Sequence, residues 1–363
     1  MDLPKNKAIA IGLLLGGLLG IMLGSVALWR RPVQGQPASI VLLDPLPQDT
    51  EVQVYFNHSQ AAAYREPYRQ QYRLGDDLEQ VVVTAINSAQ RSVDLAVHEL
   101  NLPQVALALK AKQQAGVKIR LIVENSYRRP LSELTPRQVQ QLDERGRQKY
   151  QDFVQIVDQN QNGQLEPSEI AARDAMAILQ AAQIPILDDT ADGSKGSGLM
   201  HNKFLIIDGR DVITGSANFT WSDIHGDFAT LESQGNANHL LKIESPAVAQ
   251  LYQQEFNLMW GKDNPATRRF GLKKPYRAPR TLKLASSQLT IQFSPTSTKL
   301  PWEQSVNGLI GRSLTQAKQQ IDLALFVFSE QQLSNLLEAE HTKGVQIRAL
   351  IEPSFAFRDY SEV

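Results

Sequence analysis

The sequence predicts an α/β protein, and three observations carry that reading. Apolar strand-like runs alternate with amphipathic helical patterns, the alternation occurs twice at a fixed offset, and a long uncharged stretch precedes both copies. The chain has 363 residues, a formal charge of −1 and no cysteine. Its length accommodates one full domain and part of another. The near-zero charge, without a Lys/Arg block, gives no positive sign of a nucleic-acid surface. The lack of cysteine excludes disulfides and thiolate metal sites and leaves the compartment open.

The first element is residues 8–29, which carry no charge and lie between Lys5 and Lys7 on one side and Arg30 and Arg31 on the other. Such a run is long enough to cross a bilayer as one helix. Ser25-Val26-Ala27 offers the alternative of a cleaved signal peptide and a secreted or periplasmic product. The length of the run favours an uncleaved single-pass anchor over residues 1–31, with its orientation open because the basic flanks balance. Gly12, Gly16, Gly20 and Gly24 form a ridge along which two such helices can approach as a homodimer, a merely glycine-rich anchor being the alternative. Residues 32–50, with Pro32, Pro37, Pro45 and Pro47, read as an extended stalk.

Residues 51–265 read as the first domain. Residues 52–56 alternate as a strand, and Leu78, Val81, Val82, Ala85, Ile86 and Ala89 mark one face of a helix. Val93-Asp94-Leu95-Ala96 then returns as Ile321-Asp322-Leu323-Ala324, and Gly116-Val117-Lys118-Ile119-Arg120 returns as Gly344-Val345-Gln346-Ile347-Arg348, both at an offset of 228 (94 to 322, 120 to 348). Between them Val105, Ala108 and Leu109 return as Leu333, Leu336 and Leu337. Each copy reads helix, strand, helix, strand, and residues 289–293 open the second as 52–56 open the first. The basic, proline-containing residues 266–287 read as a solvated linker, and 288–363 as an incomplete second copy.

The chemistry is concentrated in His201-Asn202-Lys203-Phe204-Leu205-Ile206-Ile207-Asp208, followed by Gly215-Ser216-Ala217-Asn218. The apolar run after Lys203 predicts a buried strand, Asp208-Gly209 a hairpin turn, and residues 211–214 the returning strand. His201 and Lys203, two apart on a strand, leave the same face. A neutral imidazole there can attack phosphorus while the ammonium holds a non-bridging oxygen. Ser216 and Asn218, with the backbone N–H groups around Gly215, can donate to the same phosphate. Asp208 also suits a turn that bonds its own backbone.

This set resembles the phospholipase D superfamily, whose HKD motif is matched at His201, Lys203, Asp208, Gly215, Ser216 and Asn218. The resemblance implies an αβα sandwich with a mixed sheet. It implies His201 as nucleophile or its general-acid counterpart, Lys203, Ser216 and Asn218 as phosphate ligands, and Asp208 as support for the histidine environment. It implies no metal in the catalytic chemistry. It also implies two HKD segments facing each other across one site, one histidine attacking and the other protonating the leaving oxygen. His201 plus 228 is 429, beyond residue 363, so the second copy is expected to be cut short before its own motif and the chain to be weak or inactive alone.

Residues 126–182 read as an insertion carrying a calcium loop. Asp158, Asn160 and Asn162 fall at positions 1, 3 and 5 of the EF-hand pattern, Gly163 at 6, Gln164 at 7 through its carbonyl, Glu166 at 9 and Glu169 at 12 as the bidentate carboxylate. The exit helix is expected to continue into the core of the catalytic unit. The expected function is a membrane-anchored phosphodiesterase acting on a phospholipid, with calcium in a regulatory or structural role. A superfamily nuclease and a catalytically inactive calcium-binding membrane protein are the alternatives.

Overall fold

A computed structural model describes residues 41–194, 198–228, 230, 232–262 and 264–363, and the folded unit spans Asp44–Val363. The anchor and glycine ridge expected within residues 1–31, and the stalk up to residue 40, lie outside the described residues. Among the described residues no helix is long and apolar enough to cross a membrane.

In chain order the strands are β1 (Val52–Phe56), β2 (Ala63–Arg65), β3 (Tyr72–Leu74), β4 (Ser92–Val97), β5 (Lys118–Val123), β6 (Ile186–Asp188) and β7 (Lys203–Ile207). They continue as β8 (Asp211–Gly215), β9 (His239–Glu244), β10 (Arg280–Lys283), β11 (Gln288–Ile291), β12 (Gln320–Leu325) and β13 (Gln346–Ile351). The helices are α1 (Leu78–Ser88), α2 (Pro103–Gln114), α3 (Pro136–Gln141), α4 (Glu144–Val157), α5 (Pro167–Arg173) and α6 (Ala175–Ala181). After them come α7 (Trp221–His225), α8 (Pro246–Trp260), α9 (Val306–Leu314), α10 (Gln331–Thr342) and α11 (Pro353–Ala356).

Seven strands form a mixed sheet in the order β1-β9-β8-β7-β4-β5-β6. β4, β5 and β6 run parallel, and every pair from β4 through β7, β8 and β9 to β1 is antiparallel. Helices cover both faces, which is why β7 is buried throughout and, after Lys203, apolar rather than alternating. Leu95, Val97, Leu205, Ile207 and Ile213 pack under α1, α2 and α6, while Ala96, Phe204, Ile206 and Val212 pack under Val248, Phe256 and Met259 of α8. The layers are thus helix, sheet, helix. α8 begins at Ser245, whose side chain accepts from Val248 N, and ends at Gly261 in a positive φ of 76°.

Downstream, β12 and β13 form a separate parallel pair. Its register, Gln320 opposite Gln346, is that of Ser92 opposite Lys118 moved by 228 (92 to 320, 118 to 346). The bidentate ion pair of Arg120 with Asp94 recurs as Arg348 with Asp322.

Three expectations need correction. Residues 266–287 are not a solvated linker. Phe270 and Leu284 join the core over α8, and Lys274 makes a buried 2.5 Å ion pair with Glu255. The strand expected at 289–293 runs instead over Gln288–Ile291 and pairs with β10 in its own ribbon. The exit helix of the calcium loop stops at Arg173, because Asp174 turns extended and its side chain caps α6 at Ala177 N, 3.1 Å away. The buried Met176, Ile178 and Leu179 therefore belong to a second helix.

Candidate active site

The site lies where the sheet changes from parallel to antiparallel pairing. β4 is the last parallel strand and β7 runs against it, with Val97 opposite Lys203. Ligands of open α/β sheets gather outside the carboxyl ends of parallel strands at such a switch. Here the carboxyl end of β4, the start of β7, the end of β8 and the start of β9 meet. β8 and β9 approach closely at Gly215, where an added Cβ would come within 2.0 Å of the His239 carbonyl oxygen, so only glycine fits.

Lys203 is buried at 8% exposure, and its Nζ sits 3.2 Å from His201 Nε2 and 3.2 Å from the His201 carbonyl. The His201 ring opens to solvent at the mouth. Burial, then the charge of Lys203, holds His201 down at about 4, so the imidazole is neutral near pH 7. Burial also lowers Lys203, to about 8, against the pull of Asp223 and Glu99. The neutral Nε2 therefore accepts from the Lys203 ammonium, a lone pair facing a cation.

Ser216 and Asn218 stand at the end of β8, with side chains already engaged. Ser216 Oγ donates to Asn238 Oδ1 at 2.9 Å and accepts from His239 N at 3.1 Å. Asn218 Nδ2 donates to Asp223 Oδ2 at 2.7 Å. Asp208 is not brought to the imidazole. It sits at the far end of β7, roughly 16 Å along an extended strand from Lys203. With Gly209 it forms the tight turn, at φ of 55° and 64°. Its carboxylate accepts from the backbone N–H of Gln90 (2.9 Å), Arg91 (2.7 Å) and Ser92 (2.9 Å), so the support it gives is to the entry of β4. Burial raises its pKa, but the Ser92, Gln90 and Arg91 N–H groups outweigh that and hold it below the usual carboxylate range.

Residues not singled out from the sequence complete the site. His98, directly after β4, packs edge to face on His201 with centroids 4.7 Å apart, and Tyr127 packs on His98 at 5.0 Å. Lys149 of α4 lies 4.9 Å from the Tyr127 ring centroid and 2.6 Å from Glu99 Oε2. The available signal was His98-Glu99 closing an otherwise apolar buried strand at its carboxyl end.

The segment expected to bind calcium, residues 158–169, runs from the end of α4 into α5. Asp158 and Glu169 are buried and turned inward. Asp158 accepts from Asn162 N (3.1 Å) and Gly163 N (2.8 Å), and Glu169 from Gln159 N (2.8 Å), Asn160 N (3.2 Å) and Glu166 N (3.1 Å). Gly163 takes the positive φ of 79° that the sharp turn needs. Asn162 Nδ2 donates to Glu166 Oε1 at 3.1 Å, and the Asn160 and Asn162 oxygens accept loop N–H groups. Among the described residues no three acidic or imidazole side chains converge as a metal cluster. The loop offers two buried carboxylates and amide oxygens, a set that suits a hard cation of modest affinity.

Residues 82–260 match the family described as "Cardiolipin synthase, PLD-like domain". The mitochondrial cardiolipin hydrolase of Xenopus laevis is 24% identical over 258 residues, covering 71% of this chain and 93% of that protein. The human mitochondrial cardiolipin hydrolase is 24% identical over 184 residues, 51% of each chain, and the Xenopus tropicalis protein is matched over 59% of its length. Among solved structures, Nuc from Salmonella typhimurium, a phospholipase D family member, aligns at 19% identity over 58% of this chain and 93% of its own, with a TM-score of 0.33. Residues 82–260 thus carry a phospholipase D-like domain.

Proposed function

We propose that the chain is a phosphodiesterase of phospholipase D type that acts on a phospholipid, with His201 as nucleophile. The observation that carries this reading is the neutral His201 imidazole 3.2 Å from the Lys203 ammonium at the switch point of the sheet. His201 Nε2 attacks phosphorus while Lys203 neutralises a non-bridging oxygen. The N–P bond forms as the P–O bond to the leaving group breaks, and water then cleaves the phosphohistidine. The leaving oxygen takes a proton from a group facing His201. A second copy of this chain, brought alongside by the glycine ridge expected at Gly12, Gly16, Gly20 and Gly24, would supply a facing motif. The recurring register and ion pair of β12–β13 support an internal duplication of the β4–β5 unit.

A lipid substrate is supported by the uncharged residues 8–29 and by the names of the mitochondrial cardiolipin hydrolases. The test is turnover by the full chain on cardiolipin vesicles and on single-stranded DNA. Lipid is expected to be cleaved, and His201→Ala to lose at least ~100-fold, as removal of a nucleophile does. Asp208→Asn, away from the imidazole, should keep its rate per folded molecule. Cleavage of DNA alone would reassign the substrate to nucleic acid. Full activity from a demonstrated monomer would remove the second copy from the scheme.

Calcium at Asp158, Asn160, Asn162, Gln164, Glu166 and Glu169 belongs to the same proposal, as an ordering ligand. The ion would link α4, which carries Lys149, to α5. At a hundredfold excess over Kd, binding stabilises the folded chain by about 2.7 kcal/mol. A melting curve with calcium, with chelator and for Glu169→Gln reads this. Equal melting temperatures throughout would reduce the loop to a structural mimic.

A further inference from the structure

We propose that His98 is a second imidazole of the phosphate site, contacting the same phosphate that His201 attacks. The inference rests on the reading of His201 as nucleophile and adds a residue from another strand. His98 and His201 meet edge to face at 4.7 Å and 65°. The His98 ring is half-buried, and its sealed end is Nδ1, which has no hydrogen-bond partner among the described residues. The open end of the ring therefore carries Nε2, beside the nucleophile.

Packing alone does not call for those nitrogens. At the offset of 228 the residue matching His98 is Phe326 (98 to 326), so a flat apolar ring fills the corresponding place after β12. An imidazole whose Nδ1 is buried and unpaired costs stability relative to such a ring, and a role for the open-end Nε2 accounts for its presence. Asn218 adds to this. Its Oδ1 is likewise buried without a hydrogen bond of normal geometry, and its side chain, near enough to bond the His98 ring, favours the charged form of His98. Behind the ring, Tyr127 packs at 5.0 Å and Lys149 stands over Tyr127, so the inserted segment forms the wall that holds His98 in place.

The groups around His98 are His201, Lys203, Asn218, Tyr127, Lys149 and Glu99. Burial first, then the charges of His201 and Lys203, keeps it at about 4, hence neutral in the free protein. A bound phosphate reverses the sign of the local field. One proton then passes from solution to the imidazole, Nε2–H donates to a phosphate oxygen, and Nδ1–H turns to the Asn218 side of the pocket.

The experiment is calorimetric binding of inorganic phosphate to the full chain in two buffers of different ionisation enthalpy, for wild type, His98→Phe and His98→Gln. Wild type is expected to bind with proton uptake. His98→Phe, which keeps the ring and the melting temperature, should bind at least tenfold more weakly with the uptake lost. His98→Gln, with a donor that cannot titrate, should recover part of the affinity without uptake. Variants that bind as wild type with unchanged uptake, in a chain that still hydrolyses phosphodiesters through His201, would overturn the role of His98 alone. A wild-type chain that neither binds phosphate nor turns over would overturn both readings.

Discussion

β4–β5 and β12–β13 share a sequence pattern, a register and an ion pair, and only the first pair is buried. β4 is buried from Val93 to Val97, whereas along β12 only Ile321 is. The Asp94 side chain is 6% exposed and its counterpart Asp322 is 52% exposed. The difference lies in neighbours. β7 pairs along the other edge of β4, and α8 lays Phe256 and Trp260 over Arg120 at 4.7 and 5.1 Å, with Gln253 donating to Asp94 at 2.7 Å. Parallel pairing is therefore local to each strand pair, while burial depends on strands and helices from elsewhere. The proposed chemistry follows the same rule, because His201 and Lys203 sit where β7 joins β4.

Mutation of the matched ion pairs should break this symmetry most visibly. Asp94→Ala leaves Arg120 uncompensated in a largely buried setting and is expected to cost on the order of 3 kcal/mol, lowering the melting temperature by several degrees. Next in size is the pH response of the His201–Lys203 site. kcat/KM should fall as pH drops through about 4, where His201 gains a proton and loses its lone pair, and fall again as pH rises through about 8, where Lys203 loses its charge. A profile on bis(p-nitrophenyl) phosphate reads both limbs, and a fall centred near the ordinary histidine value of about 6.5 would contradict the buried, lysine-facing environment. Smallest is Asp322→Ala, which should leave the melting temperature unchanged, since the Asp322–Arg348 pair lies in solvent. Equal losses from Asp94→Ala and Asp322→Ala would end the comparison.

Much of this was legible in the sequence for a physical reason. Lys203 opens β7, with His201 two residues before it and Asp208 directly after its end, and strand geometry turns spacing directly into position. His98, Tyr127 and Lys149 come from other elements, so their meeting with His201 depends on strand order, which spacing does not encode. Asp208 shows the converse limit. Its place in the motif was readable, but its partners are the N–H groups of residues 90–92, over a hundred positions upstream. The charge pattern of residues 266–287 suggested solvent because Lys274 finds Glu255 only once α8 is folded beside it. The break at Asp174 was likewise hidden, since apolar spacing continues across a cap that interrupts the helix.

The central claim is that His201 takes up the phosphoryl group. The most direct test is acid-free trapping of the full chain during turnover of a phosphodiester, followed by mass spectrometry of the peptide containing His201. A phosphorylated His201, absent from His201→Ala, is the predicted result. An adduct on a different residue, or turnover by His201→Ala above about a tenth of the wild-type rate, would contradict the account.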